Sequence, residues 1–247
     1  MWIAGILTAV LTTVLGTVAV DALHGGVAWM GEPETPFSVT TRLNSGDWSC
    51  GQNYVVPRTP GTMPLPDAPG EEIQPDAWWK GLGAVDGDES TVEILPQGDS
   101  AKAVVLHDLE VVVTARRPPV RVGAAYRGGE CGGGMTPRRF TADLDRTPPH
   151  VVPVPGKDVD ADGDEIDIPA VDFPYKISDT DPEIFVFQAS TRACDCSWHL
   201  LLTWSHSGRQ GTLKIDASGH DFRTTPTKPL PHWWWTNGQT TWRRTAP

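Results

Sequence analysis

The sequence predicts an all-β fold, an antiparallel β-sandwich, preceded by one N-terminal transmembrane helix. Three observations carry that prediction. Residues 1–20 hold no charged side chain. Beyond them, short runs of β-branched and aromatic residues alternate with turn-forming clusters such as "RRPP", "RGGECGGG", "SHSGRQG" and "DASGH". No long later segment repeats at helical spacing, and strands do not alternate with helices, which disfavours a doubly wound α/β sheet. The 25 Gly and 23 Pro in 247 residues suit strands joined by many turns. The expected organisation is a transmembrane helix over 1–22, a Gly/Pro-bearing linker over 23–35 and an extracellular β-sandwich domain over 36–247.

The opening segment, "MWIAGILTAVLTTVLGTVAV", matches a bilayer in length, since about 20 residues of helix rise about 30 Å. Its apolar run exceeds a usual signal-peptide core and no basic region precedes it. A retained anchor is therefore preferred to cleavage near Val20-Asp21-Ala22. A buried core helix fits less well, because Thr8, Thr12, Thr13 and Thr17 are too few and too mild to form a solvated face. The first basic residue is Arg42, so the positive-inside rule has nothing to count beside the span. A basic cytoplasmic segment ahead of Met1 is one explanation. Membrane lipid, met through residues 1–22, is an expected partner.

Strands are expected at Phe37–Leu43, Tyr54–Val56, Thr91–Leu95, Lys102–Ala115, Val120–Tyr126, Arg139–Leu144, Glu183–Ser190, Cys196–Trp204, Thr212–Asp216 and Asp221–Thr224. Ser205–Gly211 reads as a hairpin loop, as does Pro118-Pro119 ahead of "VRVGAAY". "PDAWWKGLG", Pro75–Gly83, suits one short helix with Pro75 near its first turn. The Pro-rich stretch 57–76 is expected as an ordered surface loop. The Pro- and Asp-rich stretch 147–174 is expected as an inter-strand excursion or a boundary between subdomains.

The four cysteines are Cys50, Cys131, Cys194 and Cys196. Zinc sites usually bring C-x₂₋₄-C knuckles, and redox motifs C-x-x-C; neither occurs. Read in steps of two, Cys194, Cys196, Trp198, Leu200, Leu202 and Trp204 share one face of a strand, opposite Asp195, Ser197, His199, Leu201 and Thr203. Same-face neighbours on a strand lie about 7 Å apart at Cα, beyond the usual bridging range. Each is therefore expected to pair with a distant cysteine, one with Cys50 and the other with Cys131, in either combination. An irregular metal site and free thiols are the alternatives. An even count behind a membrane anchor fits an oxidising compartment, which puts the domain outside the cytoplasm.

The net charge of −11 argues against nucleic acid as a partner, because phosphate binding needs clustered Lys and Arg. "DVDADGDEID" places Asp158, Asp160, Asp162 and Asp164 in an acidic loop. Asp158, Asp160, Asp162 and Gly163 match positions 1, 3, 5 and 6 of a calcium loop, but Pro169 stands where the bidentate Glu belongs. A solvated loop is preferred, with weak Ca²⁺ binding as the only cofactor expectation. "HWWWTNGQTTW" brings Trp233, Trp234, Trp235 and Trp242 together in sequence. A terminal strand with Trp233 and Trp235 on the core is preferred over a membrane-interface contact or an aromatic glycan site, since consecutive strand residues face opposite ways. The seven histidines are dispersed, and no nucleophile elbow, zincin or P-loop motif occurs, so no catalytic residue is assigned. His107-Asp108 is expected to mark a bulge or the exposed side of a long strand.

The span followed by "DFPYKISDTDPEIFVFQASTRACDCSWHLLLTWSHSGRQGTLKID...FRTT" resembles the ectodomain of a family of uncharacterised, membrane-anchored proteins from actinobacteria, high-GC Gram-positive bacteria such as streptomycetes. Some similar chains carry a cytoplasmic helix-turn-helix module ahead of the span. The resemblance rests on residues 172–225 plus the anchor, and it implies a surface-exposed β domain. The expected protein is a single-pass cell-membrane protein whose C-terminal domain is an extracellular binding, interaction or sensory module without catalytic activity. Its expected partner is a cell-wall glycan or a protein. The alternative is a cell-wall-associated hydrolase acting on glycan or peptide.

Overall fold

The structure, a computed structural model, describes residues 35–44, 52–58, 62–65, 76–128, 137–159, 165–170, 172–235 and 241–245. The expected span 1–22 and all but the last residue of the expected linker lie outside them. Among the described residues no helix is long and apolar enough to cross a membrane. The elements run β1 (Phe37–Leu43), β2 (Asn53–Val56), α1 (Asp76–Gly81), β3 (Val85–Gly87), β4 (Glu89–Gly98), β5 (Val104–Arg117), β6 (Ala124–Gly128), β7 (Arg138–Asp143) and β8 (Val151–Val154). They continue with β9 (Gly156–Val159), β10 (Glu165–Ile168), β11 (Tyr175–Ile177), β12 (Phe185–Ser190), β13 (Asp195–His206), β14 (Arg209–Ile215), β15 (Phe222–Thr225), β16 (His232–Trp235) and β17 (Arg243–Arg244).

Alternation along β13 organises the fold. Cys196, Trp198, Leu200, Leu202 and Trp204 are buried, while Ser197, His199, Leu201, Thr203 and Ser205 between them are half-buried. The buried set faces Phe37, Val92, Ile94, Phe140, Phe185 and Phe187 in one apolar core. Burying each such side chain stabilises by about 1.5–3 kcal/mol. The facing residues come from two sheets, so the architecture is sandwich-like. One sheet orders β1-β4-β12-β7-β8, and the other orders β11-β5-β13-β15-β3-β2-β6-β16-β17, with β14 also on β13. β9 and β10 form a separate two-stranded hairpin, so the Pro- and Asp-rich stretch is an excursion between strands.

The expectation of a purely antiparallel sandwich is corrected. β7 runs parallel to β12, β3 to β15 and β6 to β16. Parallel neighbours need a connection of about a dozen residues or more, and each of these pairs is widely separated in sequence. The hairpin expected at Pro118-Pro119 is also corrected. β5 pairs with β11 and β13, whereas β6 crosses over to β2 and β16. Gly123, at φ 100°, makes that departure, and a Cβ there would run into the Val56 carbonyl. The Ser205–Gly211 hairpin is present, with Ser207 and Gly208 at its tip.

A second apolar cluster gathers Tyr54, Val56, Met63, Trp79, Ala124, Tyr126 and Trp242. Short helix α1 supplies Trp79, which stacks on Tyr54 with ring centroids 4.2 Å apart.

Candidate functional site

The outward face of β13 is polar, and its neighbours aim side chains at it. The pairing of β5 with β13 shifts register twice, between Ser197 and Trp198 and between Thr203 and Trp204. Thr114 and His107 are the extra β5 residues at these shifts. A bulge bends a strand and re-aims the residue that carries it. His107, at one of the two positions the sequence offered as a bulge or an exposed strand side, lies with Nε2 2.7 Å from Ser205 Oγ. Thr114 Oγ1 donates to Asp221 Oδ2 at 2.5 Å.

Asp221 is the hub. It sits at the end of the β14–β15 connection, where Asp216 Oδ1 accepts the Gly219 amide at 2.8 Å and the Ala217 amide donates to the His220 carbonyl. That turn sets Asp221 beside His199, 3.0 Å from Oδ1 to Nδ1. Lys214 Nζ bridges Asp221 Oδ1 at 3.1 Å and Asp216 Oδ2 at 2.9 Å. The Thr114 hydrogen bond, outweighing partial burial and helped by Lys214 and His199, holds the Asp221 carboxyl below the usual aspartate range. Asp221 is therefore anionic at neutral pH and fixes the orientation of the His199 ring.

Asp195, further along the same face, is buried. Arg223 donates to it through Nε at 2.8 Å and a terminal nitrogen at 2.7 Å, and Arg117 Nε adds a third contact at 3.2 Å. Burial pushes the Asp195 carboxyl up, but these two guanidinium groups outweigh it and hold the carboxyl low. The fork of Arg223 suits this bidentate geometry.

Beside this strip opens a recess of about 250 Å³. Tyr54, Trp79 and Phe222 line its apolar part, and Asp86, Asp221 and Arg223 its charged part, with Lys80 at the same opening. Asn44 Nδ2 donates to Asp86 Oδ1 at 2.7 Å. The recess therefore joins charges of both signs to an aromatic wall. Its volume falls below the roughly 300–1,000 Å³ of usual small-molecule sites and suits one side chain or polar group of a larger partner. His199 with Asp221 is a base with an orienting carboxylate, and His107 with Ser205 is a base with a hydroxyl. The two histidine pairs lie six residues apart along β13, about 20 Å at strand rise, so they do not combine into one triad.

The cysteine expectation is corrected in part. The structure brings Cys194 and Cys196 to disulfide distance and joins them to each other, with Cα atoms 5.3 Å apart. The strand begins at Asp195, so Cys194 lies in a turn and the extended spacing does not apply. Asp145 accepts the Arg192 amide at 2.7 Å, the Ala193 amide at 3.1 Å and the Thr191 hydroxyl at 2.7 Å. Thr191 Oγ1 in turn accepts the Cys194 amide at 3.2 Å. The turn draws the two Cα atoms into bridging range. Asp145 and the two cysteines also offer three ligand atoms within 4.8 Å of one another. Cys50 and Cys131 lie outside the described residues.

Asp158 lies in β9, while Asp160, Asp162 and Asp164 lie outside the described residues. Trp233 and Trp234 are half-buried in β16, and Trp233 packs on the second cluster. Trp235 ends the same strand. Trp242 is buried among Trp79 and Tyr126 and donates from Nε1 to the Pro64 carbonyl at 2.9 Å. The hub of Thr114, His199, Lys214 and Asp221 was not assigned from sequence. The available signal was His199 on the polar face of an otherwise apolar strand. No protein-family model, curated protein or solved structure matches the chain.

Proposed function

We propose that the β domain is a binding module of a membrane-anchored cell-surface protein, and that the recess beside Trp79 receives one polar group of its partner. The observation that carries this reading is the recess itself: an aromatic wall with Asp221 and Arg223 held in place at its side. Fixed charges next to apolar surface favour recognition, because little side-chain order is lost on binding. Opposite charges suit a dipolar group, as found on peptides and amino sugars of a cell wall. The anchor, the extracellular address and the actinobacterial resemblance belong to the same reading and rest on sequence alone.

A wall-associated hydrolase is the second reading, and the His199–Asp221 pair is what favours it. Titration of the full chain with short peptides and with amino-sugar oligosaccharides, followed by tryptophan fluorescence, tests the proposal. A saturable change with one of these sets, lost in Asp221→Ala, is the expected result. Silence from both sets up to millimolar concentration contradicts it. Turnover of either set, abolished by His199→Ala, would favour the hydrolase.

A further inference from the structure

A second cavity of about 650 Å³ lies where three loops meet: the β3–β4 turn at Asp88, the β12–β13 loop at Arg192 and the β15–β16 turn at Thr227–Leu230. Small-molecule sites usually span roughly 300–1,000 Å³. Arg192 and Lys228 line this one. The chain carries a net charge of −11, and strand arginines such as Arg42, Arg117, Arg138 and Arg223 each meet a carboxylate. Among the described residues, neither Arg192 nor Lys228 is in an ion pair. Arg192 and Lys228 share the cavity lining with one carboxylate, Asp88, so the described lining keeps a net positive charge in an acidic protein, and that attracts an anion.

The carboxylate in this cavity is already committed. Asp88 Oδ1 accepts the Thr227 amide at 2.8 Å, and Oδ2 accepts the Thr227 hydroxyl at 2.6 Å and Asn53 Nδ2 at 3.3 Å. Asp88 thus pins the turn that carries Lys228, and the Leu230 amide closes that turn on the Thr227 carbonyl at 2.9 Å. His232 Nε2 lies 3.2 Å from the same carbonyl.

Arg192 is held from both sides. The Thr191 amide donates to the Asp88 carbonyl at 2.9 Å, Asp145 takes the amides of Arg192 and Ala193, and the Cys194–Cys196 link closes the turn behind them. Arg192 itself is exposed to solvent. A cation on a fixed backbone loses less freedom on binding than one on a loose loop. Leu230 supplies an apolar wall next to the charges.

We infer that this cavity binds a small organic anion, a phosphate ester or carboxylate on an apolar body, with Arg192 and Lys228 holding the anionic head and Leu230 the body. A guanidinium fork fits the oxygens of either head bidentately, and the ammonium adds a point charge. The cavity shares no lining residue with the recess beside Trp79, so either site can fail without the other.

Calorimetric titration of the full chain with phenyl phosphate, inorganic phosphate and benzyl alcohol tests the inference. Phenyl phosphate is expected to saturate at lower concentration than inorganic phosphate, and benzyl alcohol to give no binding. Arg192→Ala and Lys228→Ala, both at exposed positions, should each weaken phenyl phosphate by about tenfold. Arg209→Ala, at an exposed arginine outside the cavity, should bind like the parent. Benzyl alcohol binding as tightly as phenyl phosphate would overturn the inference. So would parental affinity in both cavity variants, or no saturation by phenyl phosphate up to about 10 mM.

Discussion

His199 Nδ1 lies 3.0 Å from Asp221 Oδ1, and the two residues come from opposite ends of a β14 excursion that returns to the same strand pair. Asp221 also takes Thr114 and Lys214, so an amide in its place leaves one acceptor oxygen for three donors. Asp221→Asn is expected to lower stability by roughly 1–2 kcal/mol, since each lost bond is worth about 1 kcal/mol and the site is partly solvated. Urea unfolding of the parent, Asp221→Asn, Thr114→Val and the double variant measures it. Simple additivity of the two single changes would refute the shared hub.

The acid side of the stability curve follows from Asp195 and its neighbours. Asp195, Asp216 and Asp221 are all held below the ordinary aspartate value of about 3.9. A carboxyl lowered in the folded state stabilises fully above the unfolded value. That contribution disappears as the pH falls through the folded value, because the unfolded chain takes up its proton first. Glu89 and Glu183, raised mainly by burial, act in the opposite sense. The difference between parent and Asp195→Asn therefore isolates the effect. It should be about 2 kcal/mol at pH 7 and shrink below about pH 4. A difference independent of pH would count against the two-arginine clamp.

Cys194 and Cys196 make a covalent prediction. Trypsin cuts after Arg192 and Arg209 and leaves both cysteines in one peptide, Ala193–Arg209. Without reduction, native protein should yield that peptide with an internal disulfide. The same peptide cross-linked to those of Cys50 or Cys131 would restore the long-range pairing that the strand period first suggested.

Gly123 sits at φ 100° with the Val56 carbonyl where a Cβ would stand. Gly123→Ala should destabilise by roughly 3 kcal/mol, because both backbone conformation and space are lost. Gly219→Ala shares the positive φ but opens on free space, so it should cost less. Thermal unfolding of both variants compares them directly. Equal losses would remove the steric explanation.

What the sequence made legible was local. The period of two in β13 placed Trp198, Leu200, Leu202 and Trp204 in the core, and β1 falls at the expected Phe37–Leu43. A short helix at "DAWWKG" and a bulge at His107 were readable for the same reason. The parallel pairs were not, because register between distant strands leaves no mark on either one. β8 was hidden by Pro153, which a strand tolerates at a sheet edge, where β8 lies. The cysteine pairing turned on Asp145, a residue remote in sequence that caps the turn before β13. The hub at Asp221 needed the β13–β15 pairing and a bulge at Thr114, neither of which single-strand periodicity contains.

The recess beside Trp79 is the centre of the functional proposal, and tryptophan-selective nitrogen labelling addresses it most directly. The chain has 11 tryptophans, each giving one indole N–H signal. Assigned by single Trp→Phe substitutions, the spectrum should show the Trp79 signal moving on addition of the peptide or oligosaccharide that saturates the fluorescence change. Trp198 and Trp204, buried in the main core, should stay in place. A ligand that binds while the Trp79 signal remains still would contradict the assignment of the recess as the binding site.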